Sequence, residues 1–546
     1  MATVAAAQGW LGHVHLPIGI GTGVVGPVPE TERQSPMGLE QHDETERKFD
    51  VGAETIFPAL NNVEGVSAVS QPADLELEAV YFDTTDLDLA RCGATLRRRT
   101  GGDDAGWHLK LPKEMDTRTE LRLPLGRATK TVPKGILPPV RAIVRDRQLV
   151  PIASVHTHRR AYTLAAEDSR VLVQVCDDEV LAERLPGPGG AQAWREWEIE
   201  LVDGDLRVLD AIAERLLAAG ATSPTVSSKL GRILGDAVPS GRRQRSTKEV
   251  ARGSAGEVMQ AQLAELTDRL HKQDARLRTE QPGSIHKLRI AARRIRSALK
   301  TYKPLLAPGS AEAVGEELRW LGQALAEARD AQVLRERLRL LVASEPPELV
   351  LGPVLNRIDD ELRAAYRSGL EQALRVLDSE RYFRLLDALD ELVESMPLKS
   401  KADAPARKVF PRLLKRDGKR LRRTVQHIGH AGDPAQHDAA LHEVRKKAKR
   451  FRYAAESARP VLGARAKALA GAAKQVQQAL GEHQDSVIAR ERLREYGAKA
   501  YVDGENGFSF GRMHALEQQH AEEQEREFNT AWDALRHKKR HSWTWT

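Results

Sequence analysis

His286-Lys287-Leu288-Arg289-Ile290-Ala291-Ala292-Arg293-Arg294-Ile295-Arg296 places a histidine and three arginines at steps of three and four, and Lys300 continues the row. A near copy stands 156 residues further on, as His442, Arg445, Lys449 and Arg452. Such steps put every one of these side chains on one face of a helix, so each copy is a cationic stripe headed by a histidine. A stripe of this kind needs a polyanion beside it, and its repetition points to duplication of a helical unit.

The chain around the stripes is basic in the same local way. Ser284 to Lys303 holds seven Lys/Arg and no acid, Ala406 to Arg423 nine against one Asp, and Leu441 to Tyr453 six against one Glu, within a formal net charge of only +7. Charge concentrated like this marks a binding surface. A third stripe, Lys408, Arg412, Lys415, Lys419 and Arg422, has the same spacing and is expected to extend that surface. From about Gly256 onward the pattern is long amphipathic helix.

Before that point the period is two. Glu44 to Val51, Ala94 to Arg99, Trp107 to Leu111, Ala161 to Ala165, Val171 to Cys176 and Glu196 to Leu201 read as strands, with helices over Glu54 to Leu60 and Leu206 to Ala219, so this half is an antiparallel sheet or barrel. Its charges alternate strictly. Glu44, Glu46 and Lys48 share one face, Arg97 and Arg99 another, and Glu196, Glu198 and Glu200 a third, opposite Trp197, Ile199 and Leu201. A lumen lined with both signs could hold a polyphosphate and its metal ions.

The Glu44-Thr45-Glu46-Arg47-Lys48 signature is followed by Tyr81 to Thr84, Leu96 to Arg99, Trp107 to Lys110, Arg118 to Glu120, Glu198 to Glu200 and Ser228-Lys229. This ordered set resembles the CYTH superfamily of triphosphate tunnel metalloenzymes. The resemblance implies an eight-stranded antiparallel β tunnel with flanking helices, cleaving or rearranging triphosphates with Mg²⁺ or Mn²⁺. It also implies a phosphate cradle of Lys48, Arg97, Arg99, Lys110, Arg118, Arg160 and Lys229, and a metal side of Glu44, Glu46, Glu120, Asp177, Glu198 and Glu200, with Glu44, Glu46 and Lys48 as the catalytic signature. Arg159 beside Arg160, and Asp178 and Glu179 beside Asp177, leave strand register to decide. His108 shares the face of Lys110 and reads as a hydrogen-bonded lining residue.

The two histidine-headed stripes resemble the CHAD domain, a conserved-histidine α-helical module. A second paired element supports the duplication: Leu325 to Asp330 corresponds to Leu480 to Asp485. This resemblance implies an all-α domain of two four-helix repeats binding inorganic polyphosphate through His286, Arg289, Arg293, Arg294, Arg296, Lys300, Lys408, Arg412, His442, Arg445, Lys446, Lys449, Arg450 and Arg452. The histidines lack a second ligand at metal spacing and read as phosphate-binding or structural.

The expected organisation is a disordered extension over 1–40, the tunnel over 41–237, a linker over 238–255, the helical domain over 256–536 and a tail over 537–546. Two cysteines in 546 residues and no apolar run near the roughly 20 residues of a membrane span point to the cytoplasm, and the polyphosphate binding that the CHAD resemblance implies adds association with polyphosphate granules. Three functions compete: a metal-dependent inorganic triphosphatase with a polyphosphate-binding domain, a polyphosphate binder with an idle tunnel, and a nucleic-acid binder. Nothing marks a purine or thiazolium pocket, although a nucleoside or thiamine triphosphate stays open as substrate. Against nucleic acid, only Tyr302, Phe451 and Tyr453 lie near the stripes to stack on bases.

Overall fold

The computed structural model describes residues 39–113, 117–127, 131–186, 190–226, 228–238, 246–430 and 432–537. Most of the expected N-terminal extension, the linker segment 239–245 and the tail from 538 lie outside the described residues.

The strands are β1 (Glu40–Val51), β2 (Ala68–Val69), β3 (Ala73–Asp83), β4 (Thr95–Thr100), β5 (Gly106–Pro112), β6 (Thr117–Pro124), β7 (Val150–Ala165), β8 (Val171–Arg184) and β9 (Gln192–Leu201). They run in the order β3-β4-β5-β6-β1-β9-β8-β7, and β7 pairs antiparallel with both β8 and β3, so eight strands close into a barrel. The short β2 extends the wall beside β7.

Helices of the barrel half are α1 (Asp88–Arg91), α2 (Arg141–Val144), α3 (Leu206–Ala218) and α4 (Lys229–Leu234). Outward apolar residues of the strands explain where they sit. Trp197 and Ile199 pack under Leu209, Ile212 and Leu216 of α3, while Leu96, Trp107, Leu109 and Leu121 are covered by the segment around Ile136, Val140 and Val144. The expected helix over Glu54 to Leu60 does not form. Only turns and irregular backbone occupy it, because Phe57 is drawn out of any helical row to stack on Tyr162 at 4.6 Å and meet Trp197 edge-on.

The second half consists of α5 (Ala255–Arg278), α6 (Ser284–Tyr302), α7 (Glu312–Ala324), α8 (Ala326–Ala343), α9 (Val354–Leu377), α10 (Glu380–Glu394), α11 (Ala406–Gln426), α12 (Pro434–Leu462), α13 (Ala464–Val502) and α14 (Phe508–His537). The duplicated signatures fall on α6 and α12, which pack against each other. The second paired element sits at the break between α7 and α8, where Leu325 leaves helical geometry with ψ of 0°, yet runs unbroken through α13. One copy is therefore a split helix and the other a continuous one of 39 residues.

The linker expectation is too long. Val250 is 3% exposed in the helical core and the Thr247 hydroxyl donates to Glu265, so residues 246–254 already pack on the second half.

The two halves dock through α10. Arg145, 6% exposed, donates to both Asp387 and Asp390, Arg384 donates to Asp146 at 2.5 Å, and Arg141 stacks over Phe383 at 5.1 Å. Arg145 holds φ at 58°, a conformation costing a non-glycine residue about 1–3 kcal/mol, and the paired carboxylates offset it. Arg145→Ala should loosen the docking by about 2 kcal/mol, since two carboxylates each lose a charged partner. Calorimetry should then resolve two unfolding transitions where the parent shows more overlap.

Candidate functional site

The polar lumen surrounds a cavity of about 320 Å³. One end is stoppered: Leu230, Ile233 and Leu234 of α4 pack on Ala79, Tyr81, Val155, Val180 and Ala182, which share strand parity with the lumen residues. Just inside the stopper, Lys229 Nζ lies 2.8 Å from Asp178, 2.7 Å from Glu196 and 2.7 Å from Glu198. Arg159 adds a paired contact to Asp178 at 2.7 Å and one to Glu198 at 2.6 Å. Lys48 pairs with Glu198 and, at 3.3 Å, with Glu46.

Toward the open end Lys110 Nζ approaches Glu44 at 2.5 Å and Glu46 at 3.8 Å, while Arg122 reaches Glu44 at 3.2 Å and also Glu120. His108, 1% exposed, has one ring nitrogen 2.9 Å from the Glu120 carboxylate and the other 2.9 Å from the Asp104 carbonyl oxygen. Burial pulls its pKa down to about 4 against the hydrogen bond with Glu120, and the ring serves as a hydrogen-bonded lining residue. His42 is the opposite case: hydrogen bonds to Glu120 and Glu44 raise it to about 9.

The carboxylates are arranged unevenly. Glu46 is held at about 2, since Lys48 and Lys110 outweigh its burial. Glu200 stands directly opposite Glu46 across β1 and β9, and burial together with Glu44 pushes its carboxyl up. Among the described residues Glu200 makes no ion pair. Like charges directly opposed on neighbouring strands repel. Ligand atoms come within reach of one metal ion in two groups, His42, Glu44 and Glu120, and Asp178, Glu196 and Glu198, and carboxylate oxygens suit Mg²⁺ or Mn²⁺.

Of the expected lumen residues, Glu44, Glu46, Lys48, Arg97, Arg99, Lys110, Arg118, Glu198, Glu200 and Lys229 line the cavity, and Glu120 is bonded to its wall. Two expectations are corrected. Arg160 faces outward, 41% exposed at its side chain and paired to Glu179, and Arg159 takes the lumen position. Asp177 likewise faces the outer core, bonded to Arg195 at 2.8 Å and to the Trp197 indole at 3.1 Å, and Asp178 takes its place inside. The β7–β8 register, Arg159 on Asp178 and Arg160 on Asp177, is the cause. The expected site sets also left out Glu196, although it shared the charged face of Glu198 and Glu200, and Arg122 and His42. Each was reachable by parity, from Glu198, Glu120 and Glu44 respectively.

In the helical half, the repeated stripes converge. Lys449 is pushed down to about 7, by burial first and then by Arg293, Arg445, Arg289 and Arg452, so residues of α6 and α12 share one field. Among the described residues Arg293, Arg296, Arg445 and Lys449 form no ion pair. The second paired element braces the stripes symmetrically: Asp330 accepts from Arg289 at 2.6 Å, and Asp485, its counterpart, attracts Arg445. Burial and the neighbouring Arg329 keep His286 at about 4, and burial with Lys446 lowers His442, so both stripe heads are neutral imidazoles.

Several expected members lie off this groove. Arg294 turns to Glu456 at 2.6 Å, Arg450 to Asp417 at 3.0 Å and Lys446 to Glu443 at 2.7 Å, each being about 100° around the helix from the row. Arg452 stays on the row but is bound to Glu456 at 3.2 Å. The third stripe does not extend the groove. Val409, Phe410, Leu413, Leu414 and Asp417 form the buried face of α11, and Lys408, Arg412, Lys419 and Arg422 stand exposed on the opposite side. Arg416, off that stripe, reaches α6, donating to the Thr301 carbonyl at 2.5 Å.

The CYTH domain family matches residues 42–224 and the CHAD domain family residues 261–494. An uncharacterized protein of Mycobacterium tuberculosis, Rv2226, is 39% identical over 500 residues, spanning 88% of this chain and 94% of the relative. The chain belongs to the CYTH and CHAD domain family. Among solved structures, PptA from Streptomyces chartreusis is similar at 23% identity and a TM-score of 0.43, covering 52% of this chain and 99% of that one. The CHAD domain from the plant Ricinus communis is similar at 22% identity and a TM-score of 0.41, covering 52% and 94%. By the two family matches the barrel is a CYTH-type triphosphate tunnel and the helical half a CHAD domain. No described helix is long and apolar enough to cross a membrane.

Proposed function

We propose that the CYTH tunnel hydrolyses inorganic triphosphate with Mg²⁺ or Mn²⁺, and that the CHAD groove binds inorganic polyphosphate, keeping the enzyme beside it in the cytoplasm or on polyphosphate granules. The observation that carries the enzymatic reading is the Glu46–Glu200 pair, two half-buried carboxylates in register on neighbouring strands within a ring of cations. Glu44, Glu46, Glu198 and Glu200 would hold the metal. When bound, it neutralises phosphoryl oxygens and polarises the phosphorus under attack. Arg97, Arg99, Lys110, Arg118 and Arg159 orient the phosphate chain, and Lys229 fixes its inner end against the α4 stopper. Phosphoryl transfer asks little else of a protein than this positioning. The test is phosphate release by the full chain, with and without metal, over triphosphate, ATP, thiamine triphosphate and long polyphosphate. Inactivity on all of them would leave the tunnel a binding site only.

Polyphosphate binding is supported by uncompensated cations on two facing helices, and nucleic acid is disfavoured by burial of the aromatics. Tyr302 and Phe451 are fully buried, and Tyr453 lies beneath Arg294 and Arg452. Lys449 adds a pH signature. Its amine is depressed to about 7 in the free protein, so it is largely uncharged at pH 8, and a bound polyanion raises it again. Binding near pH 8 should therefore take up a proton and weaken as pH climbs from 7 to 9. Titration calorimetry in buffers of different ionisation enthalpy checks this, and Lys449→Met should abolish the uptake.

A further inference from the structure

The open end of the tunnel, opposite the α4 stopper, carries the β4–β5 hairpin turn Gly101-Gly102-Asp103-Asp104, and this turn bends over the mouth so that Gly102, Asp103 and Asp104 line the cavity. Gly101 and Gly102 hold φ of 81° and 72°, and a Cβ on Gly101 would stand 2.0 Å from the Glu76 carbonyl oxygen. Only glycine lets the turn lie that close to β3. Past this anchor the Asp104 carboxylate pairs with the Arg99 guanidinium, and the Asp104 carbonyl accepts from His108 Nε2 at 2.9 Å.

Arg99 belongs to the phosphate cradle, yet its charge is met here by a carboxylate of its own chain. Its side chain is 9% exposed, and burial followed by Arg97 and Arg159 depresses its pKa to about 9, so a cation in this place needs an anion. Asp104 keeps a side chain 32% exposed, at the edge where an incoming phosphate would pass. His108 holds the backbone of the turn and not its carboxylate, so the carboxylate can swing away while the turn stays anchored.

We propose that Asp104 is a gate residue, its carboxylate standing in for a phosphate on Arg99 until a triphosphate displaces it. The idea rests on the triphosphate reading of the tunnel. A chain that reaches from Lys229 to Arg99 exchanges one anion for another on Arg99 and gains the remaining contacts. Cleavage to shorter products lets Asp104 return and helps expel them. Competition of this kind lowers apparent affinity by the fraction of protein with the gate open.

The experiment compares the full-length protein with Asp104→Asn, Arg99→Gln and the double variant, using titration calorimetry with a non-hydrolysable imidotriphosphate and with pyrophosphate. Asparagine keeps the size of the side chain and removes the competing charge. Asp104→Asn should bind imidotriphosphate about tenfold tighter, the scale of one charge-assisted hydrogen bond between partly exposed groups. Pyrophosphate should become a correspondingly stronger product inhibitor. In the Arg99→Gln background the same change should have no effect, because the competed site is gone. Unchanged or weaker triphosphate binding by Asp104→Asn, or equal tightening in both backgrounds, overturns the gate and leaves the tunnel reading intact. Absence of binding by both parent and variant overturns the triphosphate reading and the gate with it.

Discussion

Glu46→Gln should lower metal-dependent phosphate release by about a hundredfold or more while leaving the fold in place. The amide keeps the shape of the side chain, so the barrel wall is unaffected. What disappears is a charge. Glu46 is ionised at any working pH, being held at about 2 by Lys48 and Lys110, and it opposes Glu200 across the strand pair. With one carboxylate neutral, the repulsion that a divalent cation would relieve is lost, and so is the geometry that sets phosphoryl oxygens among Arg97, Lys110 and Arg118. Turnover, with KM followed separately, is the readout, and circular dichroism controls for folding. The register correction supplies a sharper comparison. Arg159→Gln should cost at least tenfold in kcat/KM, because Arg159 faces the lumen; Arg160→Gln should change it less than about twofold, because Arg160 meets only Glu179 outside. Equal effects of the two would show that the lumen assignment of β7 is wrong.

Reversing Arg293 and Lys449 together to glutamate should abolish binding of long-chain polyphosphate, a loss greater than a hundredfold. Both residues lie where α6 and α12 face each other, and among the described residues neither has a carboxylate partner to absorb the change. Several cations engaging one chain give multivalent gain, so triphosphate should bind the same groove weakly. Affinity should fall steeply with salt, since each neutralised phosphate releases counterions. Reversing Lys408 and Arg412 should weaken binding only slightly, as they occupy the solvent face of α11 away from the groove. Competition by single-stranded RNA of equal charge should be poor, because the nearby aromatics are buried. RNA competing as well as polyphosphate would require the groove to be reassigned to nucleic acid.

Most of the architecture was legible in the residues. Period-two alternation with charges on one face and Trp197, Ile199 on the other required a wall with a polar inside and an apolar outside. The three-four spacing from His286 and again from His442 required two like helices. These patterns are local, and the pleat or helix period converts them directly into faces. The Glu54 to Leu60 segment was misread because its apolar spacing fits a helix, and only Tyr162 and Trp197, more than a hundred residues away, show where Phe57 must go.

The lumen set was legible up to a choice of parity that the sequence by itself could not make. Arg159 with Asp178, or Arg160 with Asp177, puts the same two chemistries on the same neighbouring strands, so either register satisfies the local pattern equally well. The pairing of β7 with both β8 and β3 selects the first, and a slip of one residue would turn every side chain of the strand to the other face. For the helical half, the sequence determined three cationic stripes of the same spacing, two of them headed by a histidine. Tertiary packing decided that two face each other and one faces water, because the apolar residues of α11 lie opposite its lysines and arginines, and burying them turns the charges outward.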